Sequence, residues 1–203
     1  MKTLIMAALA IAAVGANIAF AEEDDGIVSA APVIADPVNP QPGMVVNAYN
    51  LGSHITSNIG RTENQNAVTP DALAKSPSVR TYVDKSTSFT RAGVAEKTKV
   101  DVIKWEGFIK CKRAATYTFS FDMRSWYTVY VNGRQCGNID NIRYGQLSVD
   151  ADLKLGWNKV VFVADIGDDR KLDVKFRPKG SLSDPRPLSP GMLFYDKPVE
   201  EEW

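Results

Sequence analysis

The 203-residue sequence has little of what site chemistry most often uses: one histidine, two cysteines, and no excess of charge, with 24 basic against 24 acidic side chains. That balance lacks the electrostatic footprint nucleic-acid binding requires, so no nucleic-acid partner is expected. His54 stands beside Ser53 and Thr56 with no nucleophile and carboxylate pattern around it, which makes it a solvated side chain rather than a general base. One His and two Cys 25 residues apart match no zinc spacing. No nucleophile elbow, phosphate loop or metal motif occurs, so neither catalysis nor a cofactor is expected.

Long apolar runs are also scarce. The one that exists, Leu4–Val14, follows Lys2 and precedes the small-x-small triplet Ala19, Phe20, Ala21, the pattern of a secretory signal cleaved before Glu22. Gly15 and Asn17 interrupt it before the ~20 apolar residues a bilayer span needs. No cysteine lies near the cleavage site, which disfavours a lipid anchor, and no other segment is apolar enough to span a membrane. Losing Lys2 with the leader leaves one more acid than base, so the exported chain stays electrostatically quiet. A secreted, periplasmic or cell-surface location follows. Residues 22–42 open with Glu22, Glu23, Asp24 and Asp25 and then carry Pro32, Pro37, Pro40 and Pro42 without helical or strand period, as an extended spacer does. The remaining 43–203 are enough for one well-buried domain with a frayed acidic end at Glu200–Trp203.

What is abundant in that domain is period-two alternation. Tyr117, Phe119 and Phe121 point one way and Thr116, Thr118 and Ser120 the other, as in a half-buried antiparallel strand. Tyr127, Val129 and Val131 repeat the pattern and end at Asn132 and Gly133, a type I′ hairpin signal, with Arg134, Gln135 and Cys136 on the return. Val160–Ile166 and Leu172–Phe176 flank Gly167, Asp168, Asp169 and Arg170 and predict a second hairpin. The Asp165, Asp168 and Asp169 cluster belongs to that turn rather than to a cation site. Leu147, Val149 and Leu153 precede a tight turn at Gly156, and Met44–Tyr49 and Val100–Ile109 add two strands. Pro70–Lys75, capped by Thr69 with proline at the first position, predicts one short helix. Between Gly52 and Lys99 the period is otherwise weak, predicting loop and short edge elements. The fold class is therefore all-β, a two-sheet antiparallel sandwich with long loops and about eight strands.

Several pieces, in order, resemble the PA14 family of β-sandwich modules. Gly43, Met44, Val45 and Tyr49 are similar to its opening strand, and Trp105, Gly107, Phe108 and Ile109 with Thr116, Tyr117, Thr118 and Phe119 to its next two. Tyr130, Val131, Asn132 and Gly133 resemble its hairpin, and Leu153, Leu155, Gly156, Trp157 and Asn158 its late turn. The same hairpin and turn also resemble galactose-binding-type jelly rolls, which are two-sheet sandwiches as well. The resemblance covers about Gly43 to Lys179 and implies carbohydrate binding or adhesion at a cell surface. Two departures qualify it. Where sugar-binding members carry adjacent aspartates for Ca²⁺, this chain has Asp122, Met123, Arg124 and Ser125, which cannot supply several hard oxygen ligands, so no metal is expected. The glycine before the Tyr strand is Ala115.

Cys111 and Cys136, an even pair in an exported protein, predict a disulfide, stabilising by ~3.5 kcal/mol on the chain-entropy model. Trp105 and Trp157 fit core positions. Asn138, Asp140, Asn141, Arg143 and Tyr144 form a polar loop able to grip sugar hydroxyls, with Trp126 or Tyr130 offering an aromatic face. The expected partner is a glycan or a surface protein. Three functions remain: a non-catalytic carbohydrate-binding or adhesion module, a structural or assembly protein of the bacterial envelope making protein contacts without a sugar site, and, least favoured, an enzyme.

Overall fold

A computed structural model describes residues 34–52, 68–85, 88–90, 100–121, 127–139, 148–165, 171–188 and 190–198. The strands are β1 Pro40–Pro42, β2 Met44–Tyr49, β3 Arg80–Asp84, β4 Ser88–Thr90, β5 Val102–Cys111, β6 Ala115–Phe121 and β7 Tyr127–Val131. They continue with β8 Arg134–Ile139, β9 Ser148–Leu153, β10 Gly156–Asp165, β11 Lys171–Pro178, β12 Arg186–Pro187 and β13 Leu193–Asp196. One helix, α1 Pro70–Ala74, starts where Thr69 Oγ1 accepts the Ala72 amide, the cap the sequence predicts.

The strands form two antiparallel sheets, so the all-β sandwich expected from the alternation is what the chain adopts. The first runs β1-β13-β5-β10-β7-β8, with β2 also beside β5 and β3 outside β2. The second runs β12-β11-β6-β9, with β4 on β11. Between them lie Trp105, Ile109, Phe119, Tyr127, Phe162 and their neighbours, and Phe119 meets Phe162 at 5.6 Å between ring centroids. Burying each such ring contributes about 2–3 kcal/mol. A smaller cluster covers the outer face of the first sheet, where Val68 and Leu73 of the helical segment pack with Val102, Val161 and Val163.

β5 is shared between two partners on one edge. Its early half pairs with β2 up to Val45 opposite Glu106, and its late half pairs with β13 from Phe194 opposite Phe108. Gly107 lies where the partners change, and a Cβ there would stand 2.6 Å from the Phe194 carbonyl oxygen, so the close approach requires glycine.

The hairpin predicted at Asn132 and Gly133 is present, with φ of 50° and 80°, and joins β7 to β8. The second predicted hairpin is not one. β10 belongs to the first sheet and β11 to the second, so residues 166–170 connect strands that do not pair with each other. The reason is competition: β10 already has β5 on one side and β7 on the other, and no edge remains for β11. The turns after β5 and after β9 also pass between sheets.

Candidate functional site

The register gives the sandwich two distinct ends. Cys111 lies opposite Gly156, Ala115 opposite Leu153 and Pro178 opposite Tyr117, which gathers the tight turns at one end. At the other end Tyr127 lies opposite Ala164 and Ile139, Asp165 opposite Val102, and Ser120 opposite Ser148. Most of the residues nominated for sugar binding are bounded by those latter strand ends.

Trp126, Asp140, Asn141, Arg143 and Tyr144 lie outside the described residues, as do His54 and Asp122–Ser125. Asn138 is in β8 opposite Thr128. Tyr130 is described: it packs, partly buried, against the outer cluster of Val68, Leu73 and Val161. Burial, and then the charge of Asp71, raise its hydroxyl above the usual tyrosine range.

The tight-turn end holds a groove of about 1180 Å³. Its floor is the stacked pair Tyr117 and Phe176, with centroids 5.6 Å apart and planes 24° apart, together with Met192. The rim carries Lys110, Lys112, Arg113, Arg177 and Arg186, with Asp184 the one carboxylate lining it. Strand alternation explains the placement: Phe176 faces the core while Arg177 faces outward, and Lys112 and Arg113 occupy the exposed turn between β5 and β6. Among the described residues none of these five cations has a carboxylate within ion-pair distance. Elsewhere lysines are paired, Lys154 with Asp36 at 3.9 Å and Lys179 with Asp150 at 2.9 Å. The Arg177 guanidinium donates to the Ser183 carbonyl, at 3.4 Å.

Two asparagines hold the turns at this end. Asn158, fully buried, accepts from the Lys154 amide at 2.8 Å and from Asn132 Nδ2 at 3.0 Å, and donates to the Lys154 carbonyl at 2.8 Å. Asn132 Oδ1 accepts the Lys159 amide at 3.0 Å. The hairpin and the late turn, separate motifs in the sequence, are thus one bonded unit.

On the outer face of the first sheet, Glu106 receives Lys104 at 3.0 Å and Lys159 at 2.8 Å. Burial pushes the Glu106 carboxyl up, but the Lys159 bond and the charge of Lys104 outweigh it and hold the group below its ordinary range. Trp157, expected in the core, lies on this outer face instead, partly exposed. It packs edge-on with Phe108 and Phe194 while the Lys110 ammonium covers its ring at 4.8 Å. Trp105 is in the core as expected.

The predicted Cys111–Cys136 disulfide is not formed, and both are free thiols. Cys111 is on β5 and Cys136 on β8, with β10 and β7 between them. Three strand spacings put them roughly 14 Å apart across the sheet. A disulfide needs Cα atoms within roughly 4.4–6.8 Å. Burial raises both thiols above their usual range. Among the described residues no group of three or more His, Cys, Asp or Glu could hold a metal ion, and no helix is long and apolar enough to cross a membrane.

No family model matches the chain, and no curated protein does. Solved structures do match. The PA14 domain of the MpAFP antifreeze protein aligns with a TM-score of 0.59 at 17% identity, covering 81% of this chain and 96% of that one. The PA14 sugar-binding domain from an RTX adhesin aligns with a TM-score of 0.53 at 14% identity, covering 76% and 98%. An anti-sigma factor domain-containing protein from Clostridium clariflavum aligns with a TM-score of 0.52 at 12% identity over 79% of this chain. This chain spans about half of that protein's length, covering 49% of it. The chain has a PA14-like β-sandwich fold.

Proposed function

We propose that this protein is an exported, non-catalytic module that binds carbohydrate or mediates adhesion at a cell surface. The observation that carries the reading is the likeness to PA14 domains, one of them a sugar-binding domain of an adhesin. The polar residues Asn138, Asp140, Asn141, Arg143 and Tyr144, with Trp126 and Tyr130, are the groups proposed to hold the sugar. The signal at Met1–Ala21 exports the chain, and the acidic, proline-rich segment from Glu22 up to β1, whose Pro40–Pro42 belong to the first sheet, holds the module away from its anchorage or partner. With one aspartate at Asp122 followed by Met123 and Arg124, binding does not use calcium.

A glycan array probed with the exported protein tests this. Binding that persists in EDTA and falls at least about fivefold in Arg143→Ala or Tyr144→Ala is the expected outcome, since removing hydrogen bonds or an aromatic contact costs about 1–3 kcal/mol. Silence on every glycan, together with capture by an envelope protein, would replace the sugar reading with that of an assembly protein.

A further inference from the structure

The groove at the tight-turn end lies away from the strand ends that flank most of the nominated sugar-binding residues, and it has a feature a sugar cleft does not need. Two leucines stand out at its edge. Leu155, in the turn between β9 and β10, lines the groove and is 66% exposed. Leu182, between β11 and β12, is fully exposed and precedes Ser183 and Asp184, which also line it. Both turns leave the same end, because Leu153 lies opposite Ala115 and Pro178 opposite Tyr117. A leucine fixed in water at a turn tip gains nothing from the fold, and here the tips are accompanied by Lys112, Arg113 and Arg186, exposed cations without carboxylate partners among the described residues.

We propose that this end docks on a bilayer whose surface carries anionic phospholipid. Leu155 and Leu182 enter the boundary between headgroups and acyl chains, as apolar side chains of interfacial proteins do. Lys112, Arg113 and Arg186 meet the negative surface. The groove between them, floored by Tyr117 and Phe176 and edged by Lys110 and Arg177, receives a headgroup, whose phosphate faces the rim cations. The exposed leucines decide for a lipid surface over a soluble acidic polymer, which would use the cations and leave the leucines in water. Although the whole chain is neutral, the groove at this end is positive, with five cations against the single carboxylate of Asp184 among its lining residues.

Cosedimentation of the exported protein with vesicles tests the proposal, comparing pure phosphatidylcholine with vesicles containing about one-third phosphatidylglycerol. The protein is expected to partition to the anionic vesicles and not to the neutral ones; a leader still attached would bind both, so the difference reads this end alone. The triple variant K112E/R113E/R186E should lose about a hundredfold of that partitioning, at about fivefold per cation. The double variant L155N/L182N should lose at least tenfold, with its circular dichroism and melting temperature unchanged because both side chains are exposed. Raising salt from about 0.1 M to 1 M, which shortens the Debye length from ~10 to ~3 Å, should release the protein. Absence of binding to the anionic vesicles, or equal binding by the folded variants, would overturn the proposal. So would binding to a soluble sulfated polysaccharide that L155N/L182N leaves intact in a protein that ignores vesicles. Any of these results leaves the array reading of the sugar-binding residues untouched.

Discussion

Glu106 is the residue on which the outer face of the first sheet depends electrostatically. Its neighbour Lys104 has a side chain only 7% exposed, and a buried ammonium persists only where a carboxylate offsets its lost hydration. Glu106→Gln therefore removes the partner of two lysines at once and is expected to destabilise the domain by about 1–3 kcal/mol at neutral pH, measured by chemical denaturation. The effect has a definite pH dependence. The folded carboxyl titrates below its unfolded value, so its contribution is complete above about pH 4.3 and fades as pH falls through the lower folded value. The difference between Glu106→Gln and the parent protein should accordingly shrink on acidification below pH ~4. A difference that stayed constant as pH fell well below that range, in protein still folded, would show that the charge is not what the two lysines require. Nothing in the sequence marked Glu106, because its role comes from β10 bringing Lys159 alongside β5.

At the scale of elements, the alternation of apolar and polar residues was sufficient to locate β2, β6, β7 and much of β5. The Thr69–Pro70 pair was sufficient to locate the start of α1, because the N-cap bond forms within three residues. The edge strands β3 and β4 arise in a stretch without clear period, since they borrow order from β2 and β11 rather than from their own pattern. Pairing was less legible than strand position. β10 and β11, close in sequence across five residues, enter different sheets because β10 has no free edge. β5 illustrates the same competition in reverse, with one edge divided between β2 and β13. Gly107 sits at that division, so Gly107→Ala should cost at least ~2 kcal/mol by forcing a Cβ against the Phe194 carbonyl, a backbone atom with no rotamer to yield. Hydrogen exchange should show the β13 amides losing protection before those of β10. Uniform loss across the sheet would mean that the two partners of β5 are not separable in this way.

For the whole molecule, the two cysteines show how little an even count settles. Compartment and number favoured a bridge, yet two intervening strands keep the thiols apart. A reducing agent is expected to leave the melting temperature unchanged, and non-reducing peptide mapping should yield Cys111 and Cys136 as separate free thiols. The partly buried Cys136 should react with a thiol reagent before the buried Cys111, and a Cys111–Cys136 peptide would contradict the strand order of the first sheet.

The strands β2, β6 and β7, the Asn132–Gly133 turn, the helix cap and the two-sheet class were settled by the sequence alone, because each follows from residues a few positions apart whose preferences act locally. The tertiary structure decided which strands share an edge, that Asn132 and Asn158 bond two turns into one, that Trp157 faces outward and that the cysteines never meet. It also decided where charge collects. Lys110, Lys112 and Arg113 are neighbours in the chain, but Arg177 and Arg186 come from the far side of the sandwich, and a neutral total concealed their convergence. Composition sums charge without regard to place. Packing two sheets face to face assigns each side chain an end and a side, and it is that assignment, made by competition for strand edges and by burial of the apolar faces, that sets five cations and two bare leucines at one end of this protein.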